Sequence, residues 1–415
     1  MATAATVDVQ AALDTVARRS YGRLVAYLAA RTRDVAAAED AVAEAFAAAL
    51  TDWPRNGCPA NPEGWLMTVA RRRWIDAARR RSTSDAAVPE LQLVAEELAA
   101  ANAQEEIPDR RLALMFACAH PAIDVEVRAP LMLQTVVGLD AKAIASAFLV
   151  SPAAMSKRLV RAKSKIQQAG IPFRIPGRDE LAARLDTVLD AIYAAFAEGW
   201  TDPGGTDAAR RDLTAEAFFL ARLIVELLPG EPEPLGLLAL MLFAESRRCA
   251  RRNTQGQYVP LTEQSIALWD AEMIAEAEHL LANANTFGVL GRFQLEAALQ
   301  SAHIARRCNG RDNWSDVVAL YDALHAFAPS PVVIINRALA LAEVEGPRAA
   351  LDAMPKPCDD ARLNQYQPYW AARADLLARA GARRKAYEAY ELAIGLERDE
   401  AVRSFLQQRQ AALKR

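Results

Sequence analysis

The segment from Asp140 to Lys165 constrains this chain most, because its punctuation specifies two short helices joined by a sharp bend. Asp140-Ala-Lys-Ala-Ile144-Ala-Ser-Ala-Phe148 is expected to form the first helix, with Asp140 as N-cap. Leu149 and Val150 make the bend. Ser151-Pro152 then opens the second helix with a capping hydroxyl and a proline at the first helical position, where no amide is needed. Met155, Leu159, Ala162 and Ile166 recur at helical spacing as one apolar stripe, and Ser156, Lys157, Arg158, Arg161 and Lys165 fall off it. From Ala141 to Arg178 there are eight Lys or Arg and no Asp or Glu. One buried face and one face of unopposed cations suit a phosphate-walled groove, so the segment is expected to be a DNA-reading helix-turn-helix. An ordinary solvated helix pair is the competing reading of this window.

The rest of the chain is expected to be helical as well. Apolar residues make up 52% of the 415 positions, with many alanines and few β-branched runs, and alanine carries the lowest helical cost. That length predicts two to four domains. The net charge of −3 hides an asymmetry. Residues 1–178 carry 23 basic and 19 acidic side chains, whereas residues 179–415 carry 26 and 33, so a nucleic-acid role belongs to local patches of the first part. Five scattered cysteines without a Cys-x-x-Cys pair fit a reducing compartment. The four histidines form no ligand-spaced cluster, and no metal or other cofactor is expected. No run approaches a membrane span, and the first residues lack the pattern of a secretory signal, so a cytoplasmic location is expected.

Two helices are expected near residues 8–50. The second, Asp34 to Leu50, sets Ala38, Val42, Ala45, Phe46 and Ala49 on one face and Glu39, Asp40 and Glu44 on the other. Asp40 and Glu44 are like charges four apart, which costs an isolated helix roughly 0.2–0.5 kcal/mol and points to a basic partner. Trp53 to Pro62 holds three prolines and a glycine and is expected to be a loop. From Glu63 to Arg81 a helix carries six arginines interleaved with Trp65 and Trp74, which supplies both phosphate neutralisation and stacking surfaces for unpaired bases. Ser82 to Asp109 then holds seven acids and no Lys or Arg, the pattern of an acidic linker, with a short helix expected near Leu91–Ala101. Helices follow at Arg110–Ala119 and Val125–Val136.

The second half starts after Ile171–Gly177. Helices are expected at Glu180–Gly199, Ala208–Leu228, Pro234–Arg248 and Trp269–Asn283. Near the end the chain repeats itself. Ile334, Ala338, Leu341, Gly346 and Ala350 are matched by Trp370, Ala374, Leu377, Gly381 and Ala386 at an offset of 35 or 36, and a weaker copy places Ala305, Tyr321, Leu324 and Pro329 earlier. A period of about 34 residues with small residues at the crossings is that of tetratricopeptide helix pairs, which stack to share a core.

The order of parts resembles the bacterial extracytoplasmic-function sigma factors, which direct RNA polymerase to promoters. Ala38–Phe46 looks like the family's polymerase-binding helix, Trp65–Arg81 like its helix that melts and reads the −10 element, and Gly138–Lys163 like its −35 reader. The long remainder is similar to the subgroup with a tetratricopeptide-like C-terminal extension. The resemblance implies an all-α chain: a region 2-like domain over 1–85, an acidic linker over 86–106, a region 4-like helix-turn-helix domain over 107–175, a helical extension over 176–290 and tetratricopeptide-like repeats over 291–415. It implies that Glu39, Asp40 and Glu44 meet core RNA polymerase. It implies further that Arg55, Trp65, Arg71, Arg72, Trp74, Arg79 and Arg80 serve the −10 element, where the loop Arg55–Glu63 accepts a flipped base. Ser156, Lys157, Arg158, Arg161 and Lys165 would serve the −35 element. A protein or peptide partner on the C-terminal repeats is a further expectation. The family often has asparagine where this chain has Arg72, and the second helix of the helix-turn-helix is poor in Asn and Gln, which leaves the bases read undefined and favours shape and backbone contacts.

Two other readings stand beside this one. A ligand- or partner-responsive helix-turn-helix regulator acting without polymerase needs neither the acidic linker nor the tryptophan-arginine helix. A repeat scaffold with an incidental basic patch would ignore DNA. An enzyme is the least expected, for there is no phosphate-cradling glycine loop, no His-Glu metal spacing and no nucleophile setting.

Overall fold

The computed structural model describes residues 16, 20–29, 32, 34–81, 109–148, 150–168, 176–200 and 208–413. Among these the regular elements are helices, and the single strand-like feature is an isolated bridge between Arg252 and Tyr258. The chain is all-α, as its alanine content and helical periodicity require. It divides into two compact units, residues 1–201 with 207–227 and residues 202–206 with 228–415. The short helix expected near Leu91–Ala101 lies outside the described residues.

The first unit begins with α1 (residues 20–29) and continues with α2 (Val35–Asn56) and α3 (Pro62–Arg81). Asp34 caps α2 by accepting the Ala37 amide at 3.0 Å. Here the expected loop from Trp53 is shortened, because α2 runs through Pro54 to Asn56. Pro54 lies in the last turn of the helix, and it is Gly57, at φ 85, that stops the chain while its amide bonds the Trp53 carbonyl at 2.9 Å. Asn61 Oδ1 accepts the Gly64 amide at 2.9 Å and so starts α3, with Pro62 in the first turn. The helices pack through fully buried Val42, Ala45, Ala49, Trp53, Leu66 and Ala70.

Next come α4 (Arg110–Cys118), α5 (Val125–Thr135), α6 (Ala141–Ala147), α7 (Pro152–Gln168), α8 (Arg178–Trp200) and α9 (Ala208–Leu227). α8 and α9, expected within the helical extension of 176–290, pack in the first unit. The reason is their apolar stripe. Leu181, Leu185, Val188, Leu189 and Ile192 are buried, and the buried Arg184 donates to the Phe116 carbonyl of α4 at 3.0 Å. Arg111 of α4 pairs with Asp109 at 3.0 Å and with Glu216 of α9.

Gly22 sits where α1 meets the end of α5. A Cβ there would lie 1.8 Å from the Val136 carbonyl oxygen, a backbone atom that side-chain motion cannot clear. Gly22→Ala should therefore destabilise this unit by about 1–3 kcal/mol, although alanine favours an exposed helix by about 1 kcal/mol. Denaturant titration of the full chain checks the sign.

The second unit is built on α10 (Pro232–Glu245), which is apolar on every side and buried from Leu235 to Phe243, as a helix surrounded by others must be. It is flanked by α11 (Ala271–Asn285) and α12 (Arg292–Asn309). The Glu233 carboxylate caps α12 from α10, accepting the Phe293 amide at 2.9 Å and the Gln294 amide at 3.2 Å. The repeat appears as helix pairs: α12 with α13 (Trp314–Phe327), α14 (Pro331–Val344) with α15 (Pro347–Ala353), and α16 (Gln367–Arg379) with α17 (Arg383–Leu396), closed by α18 (Glu400–Ala412). Gly310, Gly346 and Gly381 end the first helix of each pair at φ 65, 89 and 80, where a Cβ would be strained. Shared clusters join successive pairs: Leu295, Leu299, Val317, Leu324 and Ala340 link the first to the second. Ile335, Ala338, Ala350, Tyr369 and Leu376 link the second to the third.

Candidate nucleic-acid interface

In the helix pair α6 and α7, Asp140 caps α6 by accepting the Ala143 amide at 2.7 Å, and Ser151 Oγ accepts the Ala154 amide at 3.3 Å at the start of α7. Ile144, Ala145, Met155 and Leu159 are buried, which fixes the two helices as one body. That packing leaves Ser156, Lys157, Arg161 and Lys165 exposed. Lys157, Arg161 and Lys165 are successive i, i+4 positions and share one face. Arg158 is half-buried and pairs with Glu126 of α5 at 3.3 Å. The solvent-exposed carboxylate makes that pair weak, so it can be exchanged for a phosphate.

The tryptophan-arginine helix has the same construction. Leu66 and Ala70 anchor α3, while Arg71, Arg72 and Arg73 project to solvent. Trp65 and Trp74 are half-buried. The ring of Trp65 meets fully buried Trp53 edge to face, with centroids 5.6 Å apart. Trp65 thus has one edge in the core and cannot swing free, whereas Trp53 was not singled out by the sequence reading. Its spacing could have found it, since it continues the Ala38, Val42, Ala45, Ala49 stripe by one turn. Arg55 is exposed in the last turn of α2. Arg79 and Arg80 lie in the last turn of α3, and their side chains are outside the described set. Ser20 Oγ donates to Glu63 Oε1 at 2.5 Å and ties the start of α3 to α1.

The acidic face of α2 divides. Asp40 and Glu44 are exposed, and Glu44 makes a loose pair with Arg73 at 3.6 Å. Glu39 is only 7% exposed and its Oε2 meets Lys163 Nζ of α7 at 2.5 Å. Its Oε1 is buried without a partner. Burial raises the Glu39 carboxyl above the usual carboxylate range, Lys163 draws it back, and Asp40 adds to the rise. Burial also pushes the nearby Cys118 thiol up to about 12. In this arrangement Glu39 is a link between α2 and α7, and the carboxylates open to a partner are Asp40 and Glu44. Lys163 stands four residues after Leu159 and eight after Met155, so it borders the apolar stripe. That position was the available signal that it turns inward.

Among the described residues no group of three His, Cys, Asp or Glu is placed to hold a metal ion, and no helix is long and apolar enough to cross a membrane.

Residues 16–83 match the family described as Sigma-70 region 2, and residues 184–285 match a family of unknown function, DUF6596. The "Uncharacterized protein R00370" of Rhizobium meliloti (strain 1021) is 38% identical over 397 residues, which is 94% of this chain and 92% of that protein. The "Probable RNA polymerase sigma factor RfaY" of Xanthomonas campestris pv. campestris is 31% identical over 183 residues, 41% of this chain and 42% of that protein. No solved structure matches the chain.

Proposed function

The chain belongs to one family with the Rhizobium meliloti protein R00370 and carries a sigma-70 region 2, and from that premise we propose that it is an RNA polymerase sigma factor of the extracytoplasmic-function type. The single observation that carries this reading is the pairing of two exposed cationic faces, on α3 and on α7, with an exposed carboxylate pair on α2. The carboxylates Asp40 and Glu44 grip a basic surface of core polymerase. Glu39 joins them only where its pair with Lys163 opens. Arg55, Arg71, Arg72, Arg79 and Arg80 hold the opened −10 strand by its phosphates, and Trp65 and Trp74 offer flat surfaces to its bases. Ser156, Lys157, Arg158, Arg161 and Lys165 approach the −35 element in the major groove. With few amide side chains at the reading positions, phosphate contacts and groove shape carry much of the recognition.

We assign region 2 to residues 1–85, the acidic linker to 86–106 and region 4 to 107–175. The helices after 176, of which α8 and α9 pack within the first unit, lead into an extension that ends in tetratricopeptide-like repeats over 291–415, suited to a peptide or a partner helix. The protein acts by binding, without catalysis of its own, in the cytoplasm where polymerase and promoter DNA are found.

Run-off transcription with core polymerase tests the reading. The chain should direct initiation from a subset of a promoter library, and Asp40→Arg should remove most of that output while leaving the fold intact. Arg161→Ala should weaken promoter binding and lower the slope of log affinity against log salt by about one. Tight, specific DNA binding by the protein alone, with no effect on core polymerase, would instead identify a regulator that works without polymerase recruitment.

A further inference from the structure

The two cationic faces of the first unit lie closer together than the promoter elements they are proposed to read. α2 meets α7 where Lys163 Nζ stands 2.5 Å from Oε2 of the buried Glu39. α1 meets the end of α5 along a second seam. There a Cβ on Gly22 would fall 1.8 Å from the Val136 carbonyl oxygen, and a Cβ on Gly138 would lie 3.5 Å from the Tyr21 ring. These contacts hold α1 to α3 against α5 and α7 within one compact unit.

Helix geometry bounds the separation of the two faces. Arg73 of α3 pairs with Glu44 at 3.6 Å. From Glu44 to Glu39, α2 rises about 7.5 Å, and from Lys163 to Lys157, α7 rises about 9 Å. Even with every bridging side chain extended, Arg73 and Lys157 therefore lie within about 50 Å of each other. The −10 and −35 elements are named for positions about 25 base pairs apart, which is about 85 Å of duplex at 3.4 Å per pair. The closed unit reaches one element or the other and not both. The chain between α3 and α4, Ser82 to Asp109, is 28 residues long. That length reaches at most about 90–100 Å, enough for the two faces to part by the required distance while still joined.

The closed contact is incompletely satisfied. Glu39 Oε1 is buried with no partner, and a buried acceptor left unpaired is costly. Asp40 and Glu44, one and five residues further along α2, are exposed. A basic surface that lands on them brings cations up to Glu39 in competition with Lys163. We propose that the Glu39–Lys163 pair is a latch that holds the free chain shut, and that a basic surface seated on Asp40 and Glu44 takes Glu39 from Lys163 and lets the −35 face part from the −10 face. The purpose of the latch rests on the promoter-directing reading, whereas the latch itself is a contact within the first unit.

Energy transfer between dyes on Thr68→Cys of α3 and Val160→Cys of α7 tests this. Both positions are exposed and outside the proposed contacts, and the full chain carries serine at the exposed Cys58, Cys249, Cys308 and Cys358. The free parent should give one population below about 60 Å. Lys163→Glu sets two carboxylates against each other and should move most molecules to a longer distance. The swap Glu39→Lys/Lys163→Glu should bring them back. Core polymerase with promoter DNA should move the parent to about 85 Å and leave Asp40→Arg short. A long distance in the free parent would overturn the latch. So would a Lys163→Glu chain that keeps its helical circular dichroism and stays short, or a swap that fails to close. Should Lys163→Glu lose its helical signal, Glu39→Lys presents the same conflict of like charges, and the response of the parent to polymerase decides if both unfold. Opening by Lys163→Glu, with a parent that polymerase never moves, would keep the latch and overturn the promoter-directing reading.

Discussion

Lys163→Met should lower the stability of the first unit by about 3–5 kcal/mol at neutral pH, because it leaves the Glu39 carboxylate buried and unpaired. Glu39 already has one oxygen without a partner, so the Lys163 ammonium is the compensation its other oxygen receives. Burial raises this carboxyl, and removing Lys163 removes the influence that draws it back. In the variant the folded chain therefore holds the Glu39 proton more tightly than the unfolded chain does. Its stability rises as pH falls toward the ordinary carboxylate range and is lost as pH climbs through the raised value. The deficit of Lys163→Met should accordingly be large at pH 7 and shrink toward about pH 5. The double variant Glu39→Gln/Lys163→Met should lie near the parent, which would give a large coupling energy between the two sites. Native-state hydrogen exchange of the α2 and α7 amides reads this unit separately from the other. A deficit that does not depend on pH would show that Lys163 acts through its packing instead of its charge.

The second large effect is expected at Trp53. It is fully buried, packs between α2 and α3, and meets Trp65 edge to face. Trp53→Ala should cost about 3–5 kcal/mol through the lost transfer energy and the cavity left behind. For a unit of this size that corresponds to roughly 6–20 °C in Tm. Trp53→Phe should cost much less. It keeps an aromatic ring against Trp65, and it removes an indole N–H that is buried with no acceptor. The two variants differ in function as well as stability. Trp65 is one of the two flat surfaces that α3 carries beside its arginines, and its orientation depends on the ring behind it. Loss of −10 strand opening in Trp53→Ala at temperatures where α2 and α3 remain folded would identify this support. Equal stability of Trp53→Ala and Trp53→Phe would remove the cavity argument.

Much of the architecture is written in local rules. Asp34, Asp140 and Ser151 cap the helices whose starts they mark, because each cap needs only a side-chain oxygen three residues before an amide. The repeat was visible through Gly346 and Gly381, since a left-handed turn residue and its flanking small residues recur with the helix pair. Gly310 belongs to the same series, and was missed because its copy has diverged at the crossing positions around it. The extent of α2 is hidden in the sequence by Pro54. Three prolines in ten residues count as a loop by composition, yet a proline in a last helical turn is tolerated, and it is Gly57 that ends the helix.

The sequence alone determined that this chain is helical, that cations crowd α3 and α7 while carboxylates mark α2, and that its later part repeats, because caps, periodicity and charge runs act over a few residues. Only the tertiary structure decided which of those charges face solvent. It turned Glu39 and Lys163 toward each other and drew α8 and α9 into the first unit. It also set Arg247 against Gln300, 53 positions away. Such pairings depend on the buried apolar area and the low dielectric that packing creates between distant segments, and no local pattern encodes either.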